Sequence, residues 1–213
     1  MRRLSGRTAL LLLLATGCTE LHNRETAPVS HPSVAPATQP ATALKIDPAD
    51  ANALVLSFQL AAGKDKSVIA HRLTEAHPDD GRGWMLLGES LREGGATPER
   101  EAALRKAVTL RPEDATALNN LAWYYVQQGK AADAGPLITK AIQIAPYDPF
   151  MLDTLAAVQA MLGRCSEAVA SQARAIDALP EGLPVGQRRG FEERLERYRT
   201  RCTSGPSAAV SGG

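Results

Sequence analysis

Three cysteines and four histidines are the side chains of this 213-residue chain best suited to covalent or metal chemistry. They are Cys18, Cys165 and Cys202, with His22, His31, His71 and His77, and they are scattered. There is no Cys-x-x-Cys, no His-Glu-x-x-His, no Gly-x-Ser-x-Gly and no glycine-rich phosphate loop. Cys165 has no histidine near it in sequence to draw off its proton. The carboxylates Glu99, Glu101, Glu192 and Glu193 stand beside arginines at helical spacing, the pattern of surface ion pairs. The expectation is a protein that binds rather than catalyses, with no cofactor and no metal. A thiol-redox protein or enzyme using Cys165 and Cys202 is the alternative of another class.

The elements that would position a binding site follow from four prolines. Pro78, Pro112, Pro146 and Pro180 are each 34 residues apart, and the register around them repeats. Leu73, Ala107, Ala141 and Ala175 share the spacing, as do Leu87, Leu121 and Leu155, then Gly88, Ala122 and Ala156, then Gly95, Gly129 and Gly163. In the copy from Ala115 to Asp148, Leu118, Leu121, Ala122 and Tyr125 fall on one face of a helix that Gly129 ends. Ala134, Ile138 and Ala141 mark a second helix, stopped at Pro146, and Asp148-Pro149 caps and opens the next. Neither helix buries its apolar face alone, so the copies must stack into an all-α solenoid.

These residues resemble the tetratricopeptide repeat. Its pattern is met by Trp84, Leu87, Gly88, Leu91, Leu104, Ala107 and Pro112. It is met again by Leu118, Leu121, Ala122, Tyr125, Gly129, Ala134, Ile138, Ala141 and Pro146, and by Leu152, Leu155, Ala156, Gly163, Ala168, Ala175 and Pro180. Arg100, where a small residue is usual, and Gln172, where a large apolar one is usual, depart from it. Three repeats are expected at 81–114, 115–148 and 149–182. A divergent hairpin precedes them at 47–80, opened by Asp47-Pro48 and broken at Gly63. A capping helix at 183–202, striped by Phe191, Leu195 and Tyr198, follows, and its charges are expected to face solvent. The 203–213 tail is expected to be disordered.

Residues 1–17 have the anatomy of an export signal: Arg2, Arg3 and Arg7, an apolar run from Ala9 to Ala15, then small residues. The run is shorter than the ~20 residues of a spanning helix. Leu14-Ala15-Thr16-Gly17-Cys18 resembles a bacterial lipobox. That resemblance implies that Cys18 is acylated and begins the mature chain, and Thr19 after it implies the outer membrane of a two-membrane cell, periplasmic face. Residues 18–46, with Pro28, Pro32, Pro36 and Pro40, are expected to be a disordered tether. In an oxidising compartment Cys165 and Cys202 would then be left to pair, Cys165 opening the last second helix and Cys202 closing the cap. Without residues 1–17 the chain has 21 basic and 23 acidic side chains, a net charge of −2, which excludes recruitment by nucleic acid or an anionic membrane surface.

In the repeat family the first helices line a concave groove, which the resemblance carries onto twelve positions here. They are Arg82, Met85, Glu89 and Arg92; Thr116, Asn119, Trp123 and Val126; and Phe150, Asp153, Ala157 and Met161. Met85, Trp123, Val126, Phe150 and Met161 would form an apolar strip suited to a protein or peptide partner, and packing of Trp123 and Phe150 between hairpins is an equal alternative. The family's basic clamp for a C-terminal carboxylate is not reproduced, since Glu89, Phe150 and Thr154 occupy its places. The resemblance implies a lipid-anchored scaffold of the envelope, with pilus or secretin assembly first and a cytochrome c maturation helper second, the latter on Ala76-His77-Pro78-Asp79-Asp80 followed by Gly83-Trp84.

Overall fold

Capping chemistry sets where the helices begin. Asp80, Asp114 and Asp148, 34 residues apart, each turn a carboxylate onto the free backbone N–H groups of the turn that follows, at Arg82, Thr116 with Ala117, and Phe150 with Met151. The computed structural model describes residue 45 and residues 47–203. The export signal, Cys18, nearly all of the tether, and the tail from residue 204 lie outside the described residues.

Nine α-helices and no strand are found among the described residues. They are α1 (Ala51–Leu60), α2 (Lys64–Ala76), α3 (Gly81–Ser90), α4 (Pro98–Leu110), α5 (Ala115–Gln127), α6 (Ala131–Ile144), α7 (Pro149–Met161), α8 (Cys165–Asp177) and α9 (Val185–Thr203). A 3-10 turn, Arg92–Gly94, follows α3. Asp47-Pro48 does not open α1 as expected. Asp47 closes a small turn on Ala49, and Asp50 is the cap, accepting from the Ala53 N–H at 2.6 Å. Thr203 belongs to α9 rather than to the tail.

Each helix packs on the next in sequence, and the first helices α1, α3, α5 and α7 also touch one another, which makes them the inner row of a solenoid. Gly95, Gly129 and Gly163 turn the chain between first and second helices with φ of 80°, 73° and 75°, a left-handed backbone that favours glycine. Small residues let the paired helices close. A Cβ on Gly88 would lie 2.5 Å from Leu104 Cδ2, and Ala122 and Ala156 hold the equivalent place, fully buried.

Three apolar clusters run along the array. Leu54, Phe58, Leu73, Leu86 and Leu87 fill the first, and Leu118, Leu121, Tyr124, Tyr125, Ile138 and Met151 the second. Leu152, Ala175, Leu179 and Phe191 form the third, where α9 closes the end. Leu155, expected to be buried like Leu121, is half-buried against the second cluster. No helix among the described residues is long and apolar enough to cross a membrane.

Candidate functional site: a groove closed by the capping helix

The inner row leaves a cleft of about 660 Å³ between α5, α7 and α9. Helix α5 contributes Thr116, Asn119, Asn120 and Trp123, which its 3.6-residue period brings to one face. Helix α7 contributes Phe150, Met151, Asp153 and Thr154, Arg92 reaches in from the 3-10 turn, and α9 adds Gly186, Gln187, Gly190, Phe191 and Arg194. A smaller cavity of about 270 Å³ continues toward α3, lined by Gly88, Glu89, Arg92, Arg100, Leu104, Thr116, Asn120 and Trp123.

Of the twelve groove positions expected from the sequence, Arg92, Thr116, Asn119, Trp123, Phe150 and Asp153 line the larger cleft, and Glu89 lines the smaller. The other five are used elsewhere. Arg82 grips Asp80 at 2.6 Å and reaches Asn52, so its charge is spent at a helix start. Val126 packs against the second cluster and Ala157 is buried. Met85 and Met161 are half-buried and line neither cavity. The apolar strip is therefore shorter than expected, and its focus is Phe150. That ring is 48% exposed and meets Phe191 edge-to-face at 5.7 Å and 73°.

The residues missed by the sequence reading come chiefly from α9. Its charges were expected to face solvent, yet Arg194 turns inward and donates from Nε to Asp153 Oδ1 at 2.6 Å. Gln172, completely buried, donates from Nε2 to the same oxygen at 2.8 Å and to the Phe191 carbonyl at 3.2 Å. The amide at 172 thus exchanges the apolar contact made by Leu104 and Ile138 in the earlier repeats for a bracket between α7, α8 and α9. Burial pushes the Tyr198 hydroxyl above its ordinary pKa, with the Asp153 charge adding to it.

Arg100 makes the matching bracket at the other end. Its guanidinium donates to the Gly88 carbonyl at 3.2 Å, the Gly95 carbonyl at 3.4 Å and Gln127 Oε1 at 3.0 Å, and lies over the Tyr124 ring. It joins the first repeat to the second. Both departures from the repeat pattern were legible in the sequence; their partners, in other elements, were not.

Cys165 is half-buried at the start of α8 and has no disulfide partner among the described residues, and the Cys202 side chain, its expected partner, lies outside them. Among the described residues no three of His, Cys, Asp and Glu gather to hold a metal. His71 bonds to the Ser67 carbonyl and Glu99, and His77 to the Ala49 carbonyl.

A stack of helical hairpins with a row of mutually touching first helices and a closing helix defines the class, a helical-repeat array. Residues 100–149 match the family model described as tetratricopeptide repeat. The backbone is similar to that of a thermophilic tetratricopeptide protein of Thermus thermophilus, at 22% identity over 74% of this chain and 87% of that one, with a TM-score of 0.56. It is also similar to MamA, at 19% identity over 65% and 84% of the two chains and a TM-score of 0.54. A further likeness is MamA of Desulfovibrio magneticus RS-1, at 14% identity over 71% and 88% and a TM-score of 0.52. Comparison with curated protein sequences returns no match. The described residues have the fold of a tetratricopeptide-like helical solenoid, a fold consistent with a protein-interaction scaffold.

Proposed function

We propose that this protein is a lipid-anchored scaffold of the bacterial envelope whose groove grips a peptide segment of a protein partner. The observation that carries the reading is the exposed Phe150 ring in a cleft that Asn119, Asn120 and Arg92 also line. An apolar anchor among a few polar groups is the usual make-up of a peptide groove. Acylation of Cys18 would tether the groove to the outer membrane, and the resemblance to short tetratricopeptide lipoproteins favours assembly of a pilus or secretin as the task.

A photo-crosslinking residue at Thr116, in the cleft, should yield a partner adduct in the native envelope, and one at the outward Tyr147 should not. Trp123→Ala with Phe150→Ala should abolish the Thr116 adduct while leaving helicity unchanged. Equal adducts at both positions, or a double variant that unfolds, would remove the basis of the groove reading. The anchor is tested separately: Cys18→Ser should release the protein from membranes, and retention at the wild-type processed mass would refute lipidation.

A further inference from the structure

The two ends of the array are built differently. Helix α9, at one end, carries nine charged residues in 19 and turns most of them to solvent, as the end of a repeat array should. Helix α1, at the other, has no charged residue in Ala51–Leu60. Leu54 and Phe58 turn to the first apolar cluster, and α2 and α3 pack on that side. Leu56, two residues from each, stands on the opposite face, and Leu60 is 72% exposed.

The turn before α1 indicates what precedes it. Asp47-Pro48-Ala49-Asp50 is closed by the Asp50 N–H on the Asp47 carbonyl at 3.2 Å. The same x-Pro-x-Asp turn recurs at 77–80, 111–114 and 145–148, closed at 3.0, 3.1 and 3.3 Å. At each of those three it joins a second helix, α2, α4 or α6, to the first helix of the next repeat. Five residues before the proline stand Leu73, Ala107 and Ala141, each fully buried. Three before it stand Glu75, Thr109 and Gln143, each exposed. Before Pro48 the same two places hold Ala43 and Lys45. Lys45 is helical and exposed, as that register requires.

We infer that residues 41–46 are the last turns of a further second helix, docked on the outer face of α1, so that the array begins a half-repeat before Asp47. Reach and area select this occupant. Leu56 stands about 8 Å along α1 from Ala51, a length that a helix returning from the turn covers between Ile46 and Ala41. The outer face of α1 measures roughly 15 Å by 10 Å, about 150 Å². That is too little for a second copy, since a standard interface takes roughly 800 Å² from each partner. Ala43, small like Ala107 and Ala141, allows a close approach, and Leu44 and Ile46 supply apolar surface. The docking is independent of what fills the groove, and it ends the expected tether near residue 40 instead of 46.

A photo-crosslinking residue at Leu56, in the full-length protein in detergent, tests the docking. Mass spectrometry should join position 56 to a peptide of the same chain containing residues 41–46. An adduct to a second copy or to another protein, or no adduct, would overturn the inference. Amide hydrogen exchange gives a second reading. Ala43→Asp, at the place buried in the other repeats, should speed exchange in α1 about tenfold and leave α5 and α7 at the wild-type rate. Lys45→Asp puts a carboxylate at the exposed place and should change neither. Wild-type exchange in α1 for Ala43→Asp, or equal effects of the two variants, would also sink the idea. If Ala43→Asp fails to fold, the crosslink decides.

Discussion

At the scale of single residues, both places where the repeat pattern is broken carry a polar side chain that ties neighbouring units together. Gln172 has a cost as well as a benefit, since its buried Oε1 lacks a partner among the described residues. Gln172→Leu restores the apolar contact of the other repeats and removes that unmet acceptor. It should therefore leave stability within about 1 kcal/mol of wild type in urea denaturation. Arg194→Ala does the opposite, leaving the Asp153 carboxylate buried with one neutral donor, and should cost about 2–4 kcal/mol. A larger loss for Gln172→Leu than for Arg194→Ala would mean that the amide, not the ion pair, fixes the cap.

At the scale of elements, each helix start and each hairpin contact can be probed alone. Leu121 is 4% exposed, and Leu121→Ala should cost about 2–5 kcal/mol, with less for the half-buried Leu155→Ala. At the start of α3, the hydrogen bonds from the Arg82 side chain outweigh partial burial and hold the Asp80 carboxyl below its ordinary 3.8. A depressed folded pKa contributes stability that is present above the unfolded value and lost as pH falls toward the folded one. The urea midpoint should therefore drop below about pH 4, and Asp80→Asn should shrink that acid-side drop. The helices themselves were legible because a 34-residue period, a left-handed glycine and a capping aspartate all act within a few residues of chain. The groove was half legible. The face of α5 at Thr116, Asn119 and Trp123 follows from helical periodicity, but which face α9 turns inward depends on Asp153, 41 residues before Arg194. Periodicity on α9 identified Phe191 and could not distinguish a solvated arginine from one drawn into the cleft.

At the scale of the whole molecule, α9 is both the end of the core and a wall of the groove. Ending the chain before Pro184 would uncover Leu152, Ala175, Leu179 and the Asp153 carboxylate together. Such a truncation should lower the urea midpoint and abolish peptide binding, while circular dichroism still reports the helices of the preceding repeats. Retained binding would mean that α3, α5 and α7 suffice as the groove.

With the proposed peptide as occupant, that double use of α9 would make occupancy a determinant of lifetime. As a terminal helix α9 is covered on one side only, by α7 and α8, so its local opening is a cheap excursion for the array, and each opening dismantles the cleft. A peptide in the cleft holds it shut, by about 2.7 kcal/mol at a free concentration 100 times its Kd. A protease that attacks the open form would then remove empty scaffolds first and spare those in complexes. The abundance of the protein would follow that of its partner, with no separate sensor required.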